Sequence, residues 1–214
     1  MRREHTISSE SLPEGCVFYA PLSQGDLTDH ISGVTASFGS TPNGEVTWDS
    51  TIGAYHFYKM GIGQSCYWNN LDLGLDFTNN QLNDSIRIEY DIYSTIDPTG
   101  NDNWNAESTW RRAVVMGAYT STSQNTYFLP VSWTIYQDPL TQSSKWQHIT
   151  SICSNNTITT SVDGVSANSI TSASISRNVG TLTPSYVNNY ISIGKNDNDS
   201  RFIDAYIKNI KITK

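Results

Sequence analysis

The chain of 214 residues is long enough to bury a sizeable core, and its length fits one large β-sandwich or barrel better than two ordinary domains. Only 15% of the residues are charged, whereas 12 Tyr, 6 Trp and many Ser, Thr, Asn and Gln favour strands joined by polar loops over long helices. The formal net charge of −7 argues against nucleic acid as a partner, because an acidic domain repels phosphate backbones.

The first predicted segment is a polar N-terminal arm, residues 1–12, followed by one domain over residues 13–214. The arm opens with Met1-Arg2-Arg3-Glu4 and never reaches the apolar stretch of a secretory signal. No run of about 18 apolar residues follows it, so the sequence predicts no membrane insertion. With Met1 as the natural start, the protein is expected to be made in the cytoplasm and to stay there or leave by lysis.

From residue 16 onward, short β-rich runs alternate with turn residues. The runs cover residues 16–22, 34–38, 45–48, 54–58, 65–68, 86–93, 111–119, 126–136, 146–153, 157–162, 190–193 and 205–213. Turns are predicted between them, including a hairpin at Asn155-Asn156 and a turn at Asp163-Gly164. Many short strands separated by such turns indicate a sandwich or barrel. The most helix that the sequence allows is a short turn near Asp72 to Phe77.

One run shows the alternation of a half-buried strand. Between Ile86 and Tyr93, apolar or aromatic residues take the even positions, and charged residues take positions 87, 89 and 91. Because neighbouring side chains of a strand point to opposite faces, this run is predicted to place one face in the core and the other in water.

The three cysteines, Cys16, Cys66 and Cys153, lack the C-x-x-C spacing of a zinc or redox site. An odd count leaves at least one thiol unpaired. They are interpreted as three buried small apolar side chains, and a disulfide between two of them is the alternative.

Several runs also carry short motifs in a fixed order. They are Val17-Phe18-Tyr19-Ala20-Pro21-Leu22, Asp29-His30-Ile31-Ser32-Gly33, Gly53-Ala54-Tyr55-His56-Phe57, Lys145-Trp146-Gln147-His148-Ile149, Thr160-Ser161-Val162-Asp163-Gly164, Ile191-Ser192-Ile193-Gly194 and Tyr206-Ile207-Lys208-Asn209-Ile210-Lys211-Ile212. In order and spacing they resemble the laminin G-like (LamG) branch of the concanavalin A-like lectin and glucanase superfamily, over about residues 16–213 and loosely between 60 and 145. The resemblance implies an all-β fold, a two-sheet antiparallel β-sandwich (jelly roll) with its termini close together. One departure is Lys208, which stands where the family has an acidic residue.

The superfamily includes glucanases, and one segment invites comparison with them. Laminarinase-type members carry a Glu-x-Asp-x-x-Glu motif, and the matching positions here hold Glu89, Asp91 and Ser94. Retaining glycosidases need two carboxyl groups about 5–5.5 Å apart, one of which protonates the leaving oxygen. Because Ser94 cannot serve as that acid, the carboxylates are interpreted as charges on the wet face of a strand, and the chain is predicted not to be an enzyme.

One loop is rich in oxygen ligands that suit a metal. Asp197 and Asp199 lie in the segment Asn196-Asp197-Asn198-Asp199, where Ca²⁺ could collect about 6–8 ligands with help from backbone carbonyls. The resemblance adds to this, since many relatives bind calcium near such rim loops. Asn and Asp also dominate ordinary turns, which is the interpretation that the sequence favours, and calcium is kept as the alternative.

Aromatic residues in a polar loop give the best sequence indication of a binding site. Trp104 follows Asn101 and Asn103, and Trp110 comes six residues later. A sugar ring can stack its C–H face on an indole while Asn side chains bond its hydroxyls, so these four residues form the predicted ligand site. Packing of Trp104 on its own loop, or on a protein surface, is the alternative. The tryptophans predicted to lie in the core are Trp48, Trp68, Trp133 and Trp146.

Together these features predict a non-enzymatic recognition or assembly module that binds a glycan or a protein surface. Its expected setting is a bacteriophage particle assembled in the host cytoplasm, as a head decoration, fibre or tail component attached to other virion proteins by residues 1–12. The alternative is a bacterial carbohydrate-binding domain that is secreted or displayed on the cell surface. A degenerate glycoside hydrolase is the least favoured hypothesis.

Overall fold

The computed structural model of the chain describes residues 12–38, 45–60, 66–75, 77–78, 81–82, 84–95, 114–119, 125–129, 144–154, 157–171, 188–193 and 203–214. Within these ranges all regular structure is β, in fifteen strands. None of the described residues belongs to a helix that is long and apolar enough to cross a membrane. The predicted N-terminal arm lies outside these ranges except for residue 12, so its role stays a prediction.

The strands form two antiparallel sheets and a small two-stranded ribbon. Their bounds are β1 (Cys16–Ala20), β2 (Ser37–Phe38), β3 (Glu45–Asp49), β4 (Ala54–Met60), β5 (Cys66–Leu71), β6 (Phe77–Thr78), β7 (Gln81–Leu82), β8 (Ile86–Ser94), β9 (Val114–Tyr119), β10 (Asn125–Leu129), β11 (Trp146–Ser154), β12 (Thr157–Val162), β13 (Val165–Thr171), β14 (Asn188–Ile193) and β15 (Ile203–Thr213). The eight-stranded sheet has the order β13-β12-β11-β8-β15-β4-β3, with β1 also beside β15, and the five-stranded sheet has the order β10-β9-β14-β5-β2. The predicted all-β, two-sheet antiparallel sandwich is therefore confirmed.

The structure differs from the sequence interpretation at two local points. The short helical turn that the sequence allowed near Asp72 to Phe77 is not formed by the described residues, because residues 72–75 are irregular and Phe77 begins the ribbon strand β6. The sequence analysis also missed β13, which is an edge strand made mostly of Ser, Thr and Asn. An edge strand has one neighbour and can be polar, so it lacks the apolar alternation that identifies a strand.

The core lies between the two sheets. Ile86, Ile88, Tyr90 and Ile92 of β8 are each 1% exposed, whereas the residues between them are partly or fully exposed, as the alternation predicts. The two sheets meet where Phe18 of β1 packs edge-on against Trp68 of β5 with ring centroids 5.4 Å apart. The large buried side chains at this interface include Trp68, Tyr90, Phe18, Phe57, Leu71 and Leu73.

The cysteines contribute to this core as free thiols. Cys66 and Cys153 are buried, which confirms for these two the interpretation as small apolar side chains, whereas Cys16 is partly exposed. Burial raises the pKa of Cys153 to about 11 and also raises the pKa of Cys66. Both therefore stay protonated and unreactive at neutral pH.

The hairpins lie where the turn residues predict them. Ser154 of β11 pairs with Thr157 of the antiparallel strand β12, as expected for a hairpin at the predicted position. Between β12 and β13 the two turn residues are Asp163 and Gly164, with φ of 50° and 80°. Two consecutive positive φ values are typical of a type I′ turn, which matches the twist of the flanking strands.

The strand β15 is the longest strand of the eight-stranded sheet and changes partner halfway along. One side pairs with β8, and the other pairs first with β4 and then with β1. Between Lys208 and Lys211 the register shifts by one residue, and Asn209 there has a φ of 57°. This bulge turns the Asn209 N–H to the carbonyl of Pro21, at 3.1 Å, just beyond β1. The shift lies between the half of β15 that pairs with β4 and the half that pairs with β1.

A buried carboxylate secures the loop after β1. Asp29 is fully buried and accepts hydrogen bonds from the N–H of Tyr19 at 2.8 Å, of Ile31 at 3.1 Å and of Ser32 at 3.0 Å. The Ser32 hydroxyl donates a further hydrogen bond to it. A charge that is removed from water is tolerated only when donors surround it in this way. Asp29 therefore links this loop to β1 through the N–H of Tyr19.

We expect Asp29→Asn to lower the free energy of unfolding by about 3 kcal/mol, because an amide nitrogen would face N–H donors and leave buried groups unpaired. Denaturant unfolding followed by tryptophan fluorescence measures the change. Asp26→Asn, in the same loop but partly exposed, is the matched control and should cost clearly less. Equal losses in the two variants would contradict the role given to Asp29.

A second prediction tests the left-handed backbone conformation of Asn209. Asn209→Gly keeps the left-handed backbone and should stay within about 1 kcal/mol of the wild-type stability, whereas Asn209→Ala should lose about 2 kcal/mol because Ala disfavours positive φ. Thermal and denaturant unfolding of the two variants provide the comparison. If the glycine variant were the less stable one, the strain argument would be wrong.

Candidate functional site

The residues predicted as sites from the sequence lie outside the described ranges. These are the glycan candidates Asn101, Asn103, Trp104 and Trp110, and the calcium candidates Asp197 and Asp199. They stay predictions. Among the described residues, no group of three or more His, Cys, Asp and Glu side chains is arranged to hold a metal ion.

The structure brings together a different set of side chains on the outer face of the eight-stranded sheet. Four rings, which we call the aromatic row, lie in register on four adjacent strands: Trp146 on β11, Tyr93 on β8, Tyr206 on β15 and His56 on β4. Neighbouring ring centroids are 5.7, 5.8 and 4.5 Å apart along the row. Because adjacent strands are about 4.8 Å apart, the row extends about 14 Å across the sheet.

The rings of the aromatic row lie on the outer side of the sheet and do not enter the core. All four are partly exposed, because the residues next to them in each strand point inward. The prediction that Trp146 lies in the core is therefore wrong, since Gln147 and Ile149 take the inward positions of β11. Trp68 is buried as predicted, Trp48 is partly buried against the core, and Trp133 lies outside the described residues.

Carboxylates hold the Tyr206 and His56 end of the row. The Tyr206 hydroxyl donates to Oδ2 of Asp49 at 3.0 Å, and Nε2 of His56 lies 2.7 Å from Oδ1 of Asp204. Desolvation and the hydrogen bond to Asp49 raise the pKa of Tyr206, so its hydroxyl remains a donor. Asp204 also accepts a hydrogen bond from the Thr95 hydroxyl at 2.6 Å. These contacts fix the orientation of both rings.

A second group of side chains, which we call the polar cluster, lies beside the aromatic row. Nδ1 of His148 is 2.8 Å from Oδ1 of Asp91, and its Nε2 is 3.4 Å from Oε1 of Glu89. Asn209 donates to the other oxygen of Asp91 at 2.8 Å, and Arg87 donates to Glu89 at 2.6 Å. The cluster thus joins β11, β8 and β15, and its carboxylates are held in place by described donors.

The charge balance of the cluster keeps Glu89 ionised. Partial burial by itself raises the pKa of Glu89, but the hydrogen bonds and charges of Arg87 and His148 outweigh it, and the net pKa is lowered. A lowered pKa favours a hydrogen-bond acceptor and disfavours a general acid, which must carry a proton near neutral pH.

Lys208 lies at the boundary between the row and the cluster. It pairs in register with Asp91, one strand away, yet its Nζ lies 4.1 Å from the ring centroid of Trp146, two strands away. A cation over the face of an indole is attracted by the ring quadrupole.

The structure also locates the residue that corresponds to the missing carboxyl of glucanases. Ser94 is 1% exposed and lies on the inner side of β8, opposite in direction to Glu89 and Asp91. The pairing of β8 with β11 runs from Ile86 to Tyr93 without a shift, so no bulge brings Ser94 to the outer face. The outer face therefore holds two carboxylates of β8 and no third side chain from position 94.

Several residues of this face were missed by the sequence analysis as binding residues: His56, Tyr93, Trp146, Tyr206, Lys208 and Asn209. Alternation within β8 does place Tyr93 on the same face as Glu89 and Asp91. The alignment of the row, however, depends on which strands are neighbours, and β4, β8, β11 and β15 are far apart in the sequence.

Comparisons with known proteins add little to this description. No protein-family model and no curated protein sequence matches the chain. Among solved structures, the sialidase of Trypanosoma rangeli matches 94% of this chain and 31% of its own length, at 12% identity and a TM-score of 0.49. Domain 4 of AbnA, a GH43 extracellular arabinanase from Geobacillus stearothermophilus solved with arabinotriose, matches 93% of this chain and 92% of its own, at 11% identity and a TM-score of 0.47. The chain thus spans about a third of the sialidase, and similarity at this level says nothing about what the chain binds.

The lowered pKa of Glu89 makes a prediction about acid stability. The ionised carboxylate stabilises the fold above its ordinary pKa of 4.5, and that contribution is lost as the pH falls through the lowered folded value. We expect the denaturation midpoint of the wild type to fall more steeply than that of Glu89→Gln between about pH 5 and about pH 2.5. The control is Glu45→Gln, which removes an exposed carboxylate on the edge strand β3 and should keep the wild-type slope. A Glu89→Gln profile parallel to that of the wild type would contradict the assignment.

Proposed function

We propose that this protein is a non-enzymatic recognition module that binds a glycan on the outer face of its eight-stranded sheet. The observation that carries the proposal is the aromatic row, four partly exposed rings in register on four adjacent strands, with the polar cluster along one side.

The chemistry of the row suits a sugar chain. Aromatic side chains offer apolar area with few rotatable bonds, so stacking the C–H face of a sugar on them costs little conformational entropy. The adjoining carboxylates, imidazoles and amide accept and donate the directional hydrogen bonds that hydroxyl groups need. A length of about 14 Å fits an extended ligand better than a single small molecule.

The rigidity of the face also supports recognition. Its side chains project from paired strands, and the carboxylates Asp49, Glu89, Asp91 and Asp204 are each fixed by at least one hydrogen bond. A site that is already ordered avoids the entropy cost of ordering it on binding.

The remaining parts of the functional hypothesis stay predictions. A phage particle as the setting and attachment to virion proteins by residues 1–12 rest on the sequence interpretation, as does the alternative of a secreted bacterial carbohydrate-binding domain. The calcium hypothesis at Asp197 and Asp199 and the loop site around Trp104 also await a test.

A glycan array with the purified chain tests the proposal. We expect saturable binding that Trp146→Ala weakens about tenfold or more, because it removes one end of the stacking surface. Phe38→Ala is the matched control, since Phe38 is a 50% exposed aromatic residue on the edge strand of the other sheet, and it should leave binding unchanged. Circular dichroism melting curves confirm that each variant is folded.

Two further arms separate the alternatives. Loss of binding in Trp104→Ala with full binding in Trp146→Ala would move the site to the loop predicted from the sequence. Binding that needs calcium and disappears with a chelator would support a metal site. Absence of binding to every glycan, with and without calcium, would reject glycan recognition and leave protein surfaces as the partners to search.

A further inference from the structure

Among the described residues of the outer face, the carboxylates and the lysines differ in their contacts. The carboxylates accept hydrogen bonds from described side chains or backbone groups. In contrast, Lys208 has no carboxylate within ion-pair distance among the described residues, and its one described contact is the Trp146 ring at 4.1 Å. Lys211, three residues further along β15, is likewise placed over an aromatic ring, that of Tyr19, at 5.6 Å. Among the described residues of the face, both lysines therefore lie over aromatic rings, whereas the carboxylates already accept hydrogen bonds.

The absence of an anionic partner for Lys208 among the described residues has a local reason. Asp91 is its cross-strand neighbour, but one Asp91 oxygen accepts from Asn209 and the other lies 2.8 Å from His148. The lysine stem instead extends across β8, and the ammonium group comes to rest over Trp146 on β11. The ammonium group therefore lies directly against one of the rings on which the proposed ligand would stack.

We propose that the glycan bound by this face is acidic, and that Lys208 receives a carboxylate or sulfate group of a sugar stacked on Trp146 and Tyr93. This inference rests on the proposed function and adds the ligand class to it. An ammonium group on an aromatic platform supplies both parts of such recognition, since the ring contacts the sugar and the cation binds its anionic substituent.

The charge of the whole chain narrows the ligand further. The net charge of −7 repels polymers that carry many closely spaced negative charges. A glycan with isolated acidic sugars avoids most of this repulsion and still meets Lys208. The preferred ligand is therefore an otherwise neutral chain that carries single acidic sugars.

The test compares hexasaccharides of glucose, mannose and galactose in matched sets: the neutral chain, the chain with one uronic acid, and the chain with one 6-O-sulfate. We expect the wild type to bind one of the acidic chains about tenfold more tightly than its neutral counterpart, or about 1.4 kcal/mol, at low salt. The preference should shrink in 0.5 M NaCl, where the Debye length falls to about 4–5 Å and the attraction between exposed charges weakens. The uronic acid and sulfate arms distinguish the two sources of the anion.

Three variants assign the preference to one side chain. Lys208→Met keeps the apolar stem and should reduce the preference to about twofold or less, whereas Lys208→Arg keeps the charge and should retain it. Lys145→Met is the matched control, because Lys145 is next to Trp146 in sequence but pairs with Asp163 at 3.6 Å, and it should bind as the wild type does.

The outcomes separate this inference from the proposed function. Equal or tighter binding of the neutral chains, lost in Trp146→Ala, would overturn the acidic ligand and leave glycan recognition standing. An acidic preference that persists in Lys208→Met would overturn the role of Lys208. Failure of all chains to bind would reject the proposed function and this inference with it.

Discussion

The left-handed backbone at Asn209 links the change of strand partner in β15 to the outer face of the eight-stranded sheet. With a φ of 57°, the residue forms a bulge in β15, and β15 pairs with β4 before the bulge and with β1 after it. Its N–H bonds Pro21, while its side-chain amide bonds Asp91 on the outer face. One residue thus couples the closure of the sheet to the arrangement of the polar cluster. Asn suits this position because it tolerates positive φ and still supplies a donor.

The outer face follows from the way in which the core is filled. Alternation commits one side of each strand to the sandwich interior, so the remaining side chains of β4, β8, β11 and β15 align across the sheet. Their carboxylates are hydrogen-bonded and their rings are oriented by neighbours, which gives a rigid surface with little left to order on binding. Lys208 differs, since its ammonium contacts only an aromatic ring among the described residues. This contrast is the basis on which we propose a glycan site that selects an anionic sugar.

Much of the fold could be predicted from the sequence because it depends on local patterns. Alternation from Ile86 to Tyr93 correctly placed charged residues 87, 89 and 91 outside the core, and Asp163-Gly164 marked a turn that needs two positive φ values. Predictions failed where the local pattern was weak. The polar edge strand β13 carries no apolar period.

The candidate site was likewise predictable only in the part that depends on local sequence patterns. By itself the sequence determined an acidic all-β chain, the two faces of its best strand, and the presence of carboxylates and aromatic residues able to contact a glycan. It also assigned Trp146 to the core, because a single strand does not reveal which of its faces is covered. Only the tertiary structure decided that residues 56, 93, 146 and 206 form one row and that Lys208 meets Trp146 instead of Asp91. Strand order and register are non-local, since they are set by packing between segments as far apart in sequence as β1 and β15, where Phe18 pairs with Ile212.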